Sequence, residues 1–379
     1  MRADLADLGP AARLMVELCE IPSPSGDEAA VAAAVRERLE RLGARVSEDD
    51  AAERIGAGCG NLLAAFPPTP GVSGTPILFA AHLDTVPVAG PIEVGLVDGH
   101  LVNRRDAILG ADDKAAVAAL LVALERVVGE GREHAGVELL FTPCEEVGLK
   151  GAAAFDIAPL RARMGCVFDH TGALGGIVRR APSLHRIEAT FVGRAAHAGI
   201  HPEDGRNAIA AAAAAIARMP LGRIDEHTTA NVGEIRGGSA ANVVAERCTL
   251  IGEARGHDEA ALAAQLTAML DAITWAATEH GLDVQTTVSR EFTGYTLPDD
   301  HPPLALARRA LAARDLPVRL ITSGGGSDVN ALIRNGFPAV NLCNAMLDVH
   351  TPAERIRPET LEELVEITLA IIAQAREAA

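Results

Sequence analysis

Lysine is nearly absent from this chain: Lys114 and Lys150 are the only two among 34 basic residues, which face 51 acidic ones for a net charge of −17. Aromatic side chains are scarce too, with one Trp and one Tyr. A chain with neither a basic stripe nor an aromatic platform lacks the features that hold nucleic acid, which argues against such a partner. No C-x-x-C pair occurs among Cys19, Cys59, Cys144, Cys166, Cys248 and Cys343. Thiols scattered in this way fit reduced side chains in a cytoplasm and not a disulfide framework or a zinc finger. No apolar run approaches the length of a membrane span, so no membrane partner is expected. The N-terminal stretch MRADLADLGPAARLMVELCE carries acids and reads as an amphipathic helix, not a signal peptide. What is present is a globular composition, 49% hydrophobic and 22% charged, in 379 residues that suffice for two domains.

Apolar strands alternate with helices through the first half. TPILFAAHLDTV, GVELLFTPCEE, GCVFDH and, late in the chain, FPAVNLCNAM read as strands. ADDKAAVAALLVALERVV and PETLEELVEITLAIIAQAREA read as helices, the second opening on Pro358. Strands apolar on both faces, interleaved with helices, predict an α/β fold with a mostly parallel sheet and helices on both faces. Residues 184–291 differ: their strands alternate polar with apolar, and the order β-α-β-β-α-β is that of a ferredoxin-like α+β unit. We expect this unit as an inserted lid, with 1–183 and 292–379 forming the two parts of a metal-binding domain.

Polar residues that close the apolar strands carry the chemistry. His82 and Asp84 end one strand and share a face, because strand side chains alternate with period two. Asp112 and Asp113 open the next helix, Glu145 and Glu146 follow the next strand, then Asp169, then His350. Singly each has a bland reading, as a helix cap or a loop residue. Together they fall at the carboxyl ends of predicted strands, the edge where open α/β sheets bind ligands. Two histidines and several carboxylates make a ligand set for a pair of divalent ions, with zinc suited best and cobalt or manganese as substitutes. Adjacent glutamates can then divide the work, one coordinating and the other accepting a proton.

The segments HLDTV, GADDKAAVAALL, TPCEEVGLKGA, VFDHTG, GRAAHAGIHPEDGRNAI, SGGGSDVNAL and HTPAERI resemble, in order, those of the co-catalytic zinc exopeptidases. That family includes peptidase T, carboxypeptidase G, the PepV-type dipeptidases and the aminoacylases. The resemblance implies that His82 and Asp169 hold one metal ion, that Glu146 and His350 hold the other, and that Asp112 bridges them through a cis Asp112–Asp113 bond. It implies that Asp84 orients His82, that Glu145 is the general base, and that His197 from the lid stabilises an oxyanion. Asn242 and Arg255 match substrate-contacting lid positions. Ser323, with Gly324 and Gly325, stands where several peptidase members carry an Arg before the glycines. Asp169 in place of Glu tilts the resemblance toward peptidase T and the dipeptidases. The implied activity is hydrolysis of short peptides by metal-activated water, in a cytoplasmic homodimer paired through the lid. Two other readings stand beside it: an amidohydrolase of N-acyl amino acids or related metabolites, and a binding protein without catalysis.

Overall fold

The structure, a computed structural model, describes residues 5–377. Its chain divides into two compact units. One runs through Arg179 and resumes with Thr296–Ser323 and from Ser327 onward; the other comprises Arg180–Tyr295 and Gly324–Gly326. The second unit therefore extends a few residues beyond 184–291 on both sides and takes in part of the glycine loop.

In the first unit, Ile77–His82 lies between Val137–Thr142 and Met164–Val167, and Ala339–Leu342 follows Met164–Val167. All of these pairings are parallel. Every residue of Ile77–His82 and Val137–Thr142 is buried, so both faces of the sheet are covered. Phe79 stacks on Phe168 with ring centroids 6.4 Å apart. The helix Ala111–Gly129 packs on Ile77–His82 with Pro10–Cys19 and Pro358–Glu377 against it. The outer strands are antiparallel: Leu62–Phe66 pairs with Val137–Thr142, Arg45–Glu48 with Leu62–Phe66, and Gly176–Ala181 with Ala339–Leu342. The sequence reading did not assign these flanks.

The second unit has the ferredoxin-like order. Its antiparallel sheet runs Thr228–Gly237, Arg247–Gly256, Ser183–Val192, Asp283–Phe292, with Gly222–Arg223 added beyond Thr228–Gly237. One face buries alternate residues such as Ile187, Ala189, Phe191, Leu250 and Ala254 against Ala208–Arg218 and Glu259–Glu279. Asn207 and Asp258 cap those two helices through their side-chain oxygens. The helix Glu259–Glu279 corrects one expectation from the sequence. By length and composition it is long and apolar enough to cross a membrane. Leu262, Met269, Ala272, Ile273 and Ala276 are buried in the core of this unit, so one face of the helix is covered by protein.

Candidate active site

Adjacent parallel strands present their carboxyl ends at one edge, and the side chains singled out from the sequence follow from that geometry. His82 is the last residue of Ile77–His82 and lies opposite Thr142 in the neighbouring strand. Glu145 and Glu146 come just beyond Val137–Thr142, and Asp169 just beyond Met164–Val167. Asp112 opens the helix Ala111–Gly129, and the peptide bond between Asp112 and Asp113 is cis.

These residues converge. Ligand atoms of His82, Asp112 and Glu146 lie within 4.8 Å of one another, as do those of His82, Glu145 and Asp169. His82 Nε2 is 3.3 Å from Asp112 Oδ1, and His350 Nε2 is 3.3 Å from Asp112 Oδ2 and 2.9 Å from Glu146 Oε1. Yet Asp112 Oδ1 and Glu146 Oε1 are buried without a hydrogen bond. Tetrahedral ligation at zinc distances puts ligand atoms about 3.3 Å apart. Close contacts without hydrogen-bond geometry are what ligands of a shared cation make, so the residues present fit divalent metal.

The electrostatics agree. Burial, then the Asp169 charge, holds the Glu145 carboxyl well above its ordinary pKa, and burial with Asp112 does the same to Asp169. Asp113 is also pushed well above the carboxylate range by burial, and neither of its carboxylate oxygens has a hydrogen-bond partner. Burial alone would raise the Asp112 carboxyl, but contacts with His350 and His82 outweigh it and lower the pKa. Burial works against a charged His82; its contacts with Asp112 and Asp84 prevail and hold its pKa well above normal. The contacts with Asp112 and Glu146 raise that of His350 to about 10. So much crowded negative charge is what bound cations neutralise.

Asp84 is fully buried and ties the strand end to the glutamate pair. Its Oδ1 accepts from the Glu145 amide at 2.9 Å, and its Oδ2 from the Glu146 amide at 3.2 Å and the Ser25 hydroxyl at 2.6 Å. The His82 ring is held differently: Nδ1 lies 2.9 Å from the main-chain carbonyl of Asp84 and 3.6 Å from Oδ1. Burial alone would raise the Asp84 carboxyl, but His82, Ser25 and the Glu145 amide together keep it below its ordinary value.

Three further buried groups brace the site, and the sequence pattern did not mark them. Glu28 accepts from the amides of Gly26 (2.7 Å), Gly58 (2.7 Å) and Cys144 (3.2 Å). A Cβ on Gly58 would meet the Glu28 nitrogen at 2.5 Å, so only glycine permits that approach. Asn341 holds the main chain of Asp169 from both sides, accepting from its amide at 2.9 Å and donating to its carbonyl at 2.7 Å. Glu354 accepts four amides at the start of the helix Ala111–Gly129. Glu354 lies in the HTPAERI segment and Asn341 in the strand FPAVNLCNAM, whereas Glu28 lies in no stretch quoted above.

The remaining sequence-derived residues belong to the second unit or its border. His197 and Asn242 are both exposed and lie on neighbouring segments: His197 bridges Val243, and the Ala198 amide donates to the Asn242 carbonyl at 3.0 Å. Arg255 forms two contacts to Glu253, at 2.8 and 3.2 Å, and its Nη1 is 3.4 Å from the Gly324 carbonyl. Gly326 lies against the Phe292 ring, and Ser323 is buried.

The model of peptidase family M20/M25/M40 matches residues 78–374. The uncharacterized protein YqjE of Bacillus subtilis (strain 168) is 36% identical over 360 residues, 95% of this chain and 96% of that one. The crystal structure of aminopeptidase PepT from Bacillus cereus ATCC 10987 is 35% identical with a TM-score of 0.81, covering 97% of this chain and 99% of the other. A tripeptidase structure from Staphylococcus aureus subsp. aureus Mu50 is 33% identical with a TM-score of 0.88, covering 98% and 99%. The chain is a hydrolase that belongs to peptidase family M20/M25/M40.

Proposed function

We propose that this chain is a di-zinc aminopeptidase of the tripeptidase type, acting on short peptides. The observation that carries the reading is the convergence of His82, Asp112, Glu145, Glu146, Asp169 and His350 at one sheet edge. The similar aminopeptidase and tripeptidase support the substrate class. His82 and Asp169 would hold one ion and Glu146 and His350 the other, with Asp112 touching both. When bound, the pair of ions supplies polarisation of the scissile carbonyl and acidification of the attacking water.

The chain's own residues do the rest. The Glu145 carboxylate takes the proton from that water and returns it to the leaving amine nitrogen. Its place, buried among the proposed ligand atoms and bonded through its amide to Asp84, suits that transfer. Asp84 holds the Glu145 and Glu146 main chain in place. From the lid, His197 would donate to the developing oxyanion, while Asn242, Arg255 and the loop Ser323, Gly324 and Gly325 orient substrate. Arg255 would have to leave Glu253 to meet a substrate carboxylate. We also infer a homodimer through the lid, supported by its outer strand Asp283–Phe292, which pairs on one side only and exposes Val288. The six cysteines are all free and buried, which supports a reducing, cytoplasmic setting.

The test is Glu145→Gln in metal-reconstituted protein. It should keep two ions per chain while turnover of a tripeptide falls about 10²–10⁴-fold. Near-normal turnover would remove Glu145 from the role of base. The second reading is the N-acyl amino acid amidohydrolase, and a substrate panel with faster turnover of N-acyl amino acids than tripeptides would establish it instead.

A further inference from the structure

The helix Ala111–Gly129 begins after Gly110, which stands in the left-handed region at φ 73° and offers no side chain to cap the first turn. Its free amides are satisfied from far along the chain. Glu354, 1% exposed, accepts from Leu109 and Gly110 at Oε2, both at 2.9 Å, and from Ala111 (2.8 Å) and Asp112 (3.1 Å) at Oε1. All four bonds span more than 240 residues of sequence. Glu354 also closes the turn that carries His350. Its amide donates to the Thr351 carbonyl at 3.0 Å, and Leu347 and Arg355 exchange two main-chain bonds of 3.0 Å across the base of that loop. The Thr351 hydroxyl stiffens it further, donating to Asp348 O at 2.7 Å and accepting from the Ala353 amide at 3.2 Å. His350 itself has φ 64°, a conformation this closed loop enforces.

One buried carboxylate therefore grips the main chain of Asp112 and anchors the loop of His350, whose side chains stand 3.3 Å apart. We propose that Glu354 is a positioning residue that sets Asp112 and His350 in register, so that the metal position they share is assembled before an ion arrives. The inference rests on the ligand set proposed above. A mere helix cap would contribute to stability; a positioning residue also contributes to metal affinity, and that contribution depends on His350.

Glu354→Gln is the informative change. Its single carbonyl oxygen can serve two of the four amides, and its NH₂ group then faces the other two N–H donors. Zn²⁺ affinity of the apo-protein is measured by competition with a chelating indicator in wild type, Glu354→Gln, His350→Ala and the double variant, with circular dichroism as the check of folding. We expect the weaker Zn²⁺ site of folded Glu354→Gln to lose about 10–100-fold in affinity, as loss of a group supporting metal ligands does. In the His350→Ala background the further loss should be at least threefold smaller, a coupling that the double-mutant cycle reads directly. Wild-type affinity at both sites in folded Glu354→Gln overturns the proposal, and so does a loss that is fully additive with His350→Ala. If Glu354→Gln does not fold, Glu354→Asp, which keeps the charge, is read by the same coupling criterion. Failure of wild type itself to bind two ions would instead sink the ligand set, and this inference with it.

Discussion

Replacing Asp84 by Asn changes one atom in a fully buried side chain, and the structure says which hydrogen bond must be lost. Three donors converge on the carboxylate: the Glu145 amide on Oδ1, and the Glu146 amide with the Ser25 hydroxyl on Oδ2. An amide nitrogen at the Oδ1 position would face the Glu145 N–H. At the Oδ2 position it faces the Glu146 N–H, but there the Ser25 hydroxyl can rotate and accept from it. The second orientation is therefore preferred, and the Glu146 amide is left without an acceptor. A buried orphan donor costs about 1–3 kcal/mol, and exchanging charge-assisted bonds for neutral ones adds about 1, so Asp84→Asn should destabilise by about 2–4 kcal/mol. The pH dependence has a definite sign. The folded-state pKa of Asp84 is lowered, so its stabilisation is present above the ordinary carboxylate value and is lost as pH falls through the depressed one. The gap between wild type and Asp84→Asn should shrink on acidification. Urea unfolding at several pH values measures it. Because the lost bond holds the main chain of Glu146, the proposed ligand next to Glu145, kcat/KM should also fall about 10²-fold, the scale of a small misplacement of a reacting group. The His82 ring, held by the main-chain carbonyl at 2.9 Å, should stay in place. Stability within about 0.5 kcal/mol of wild type, the range of an inconsequential surface change, would refute the reasoning.

Two further outcomes bear on the site and the lid. Asp112→Ala should lower metal occupancy at both positions and His350→Ala chiefly at one, as read by metal analysis of the purified proteins; two tightly held ions in Asp112→Ala would move the bridge to another residue. Mixing His197→Ala chains with Glu145→Gln chains should raise activity above either parent after subunit exchange if the lid histidine serves the partner's site. No recovery, or a purely monomeric protein in sedimentation, excludes that arrangement.

Hydrophobic patterning carried much of the architecture into the sequence. The apolar runs ending at His82, Thr142 and Val167 announce strands covered on both faces, and the alternating segments between 184 and 291 announce the β-α-β-β-α-β unit. Since parallel strands end at a common edge, the placement of His82, Glu145, Glu146 and Asp169 just after such runs was itself information about a site. Local pattern fails where a residue's role lies in a bond to a distant segment. Glu28, Glu354 and Asn341 look like ordinary polar residues in loops or strands, yet each is buried and serves main-chain atoms 30 to 245 positions away. Glu259–Glu279 shows the converse: its composition suits a bilayer as well as a protein core, and only the tertiary structure shows the sheet that covers Leu262, Met269 and Ile273. Sequence alone determined which side chains stand at the strand ends, because periodicity is local. Tertiary structure decided which groups hold them there, because a hydrogen bond across 240 residues leaves no periodic trace.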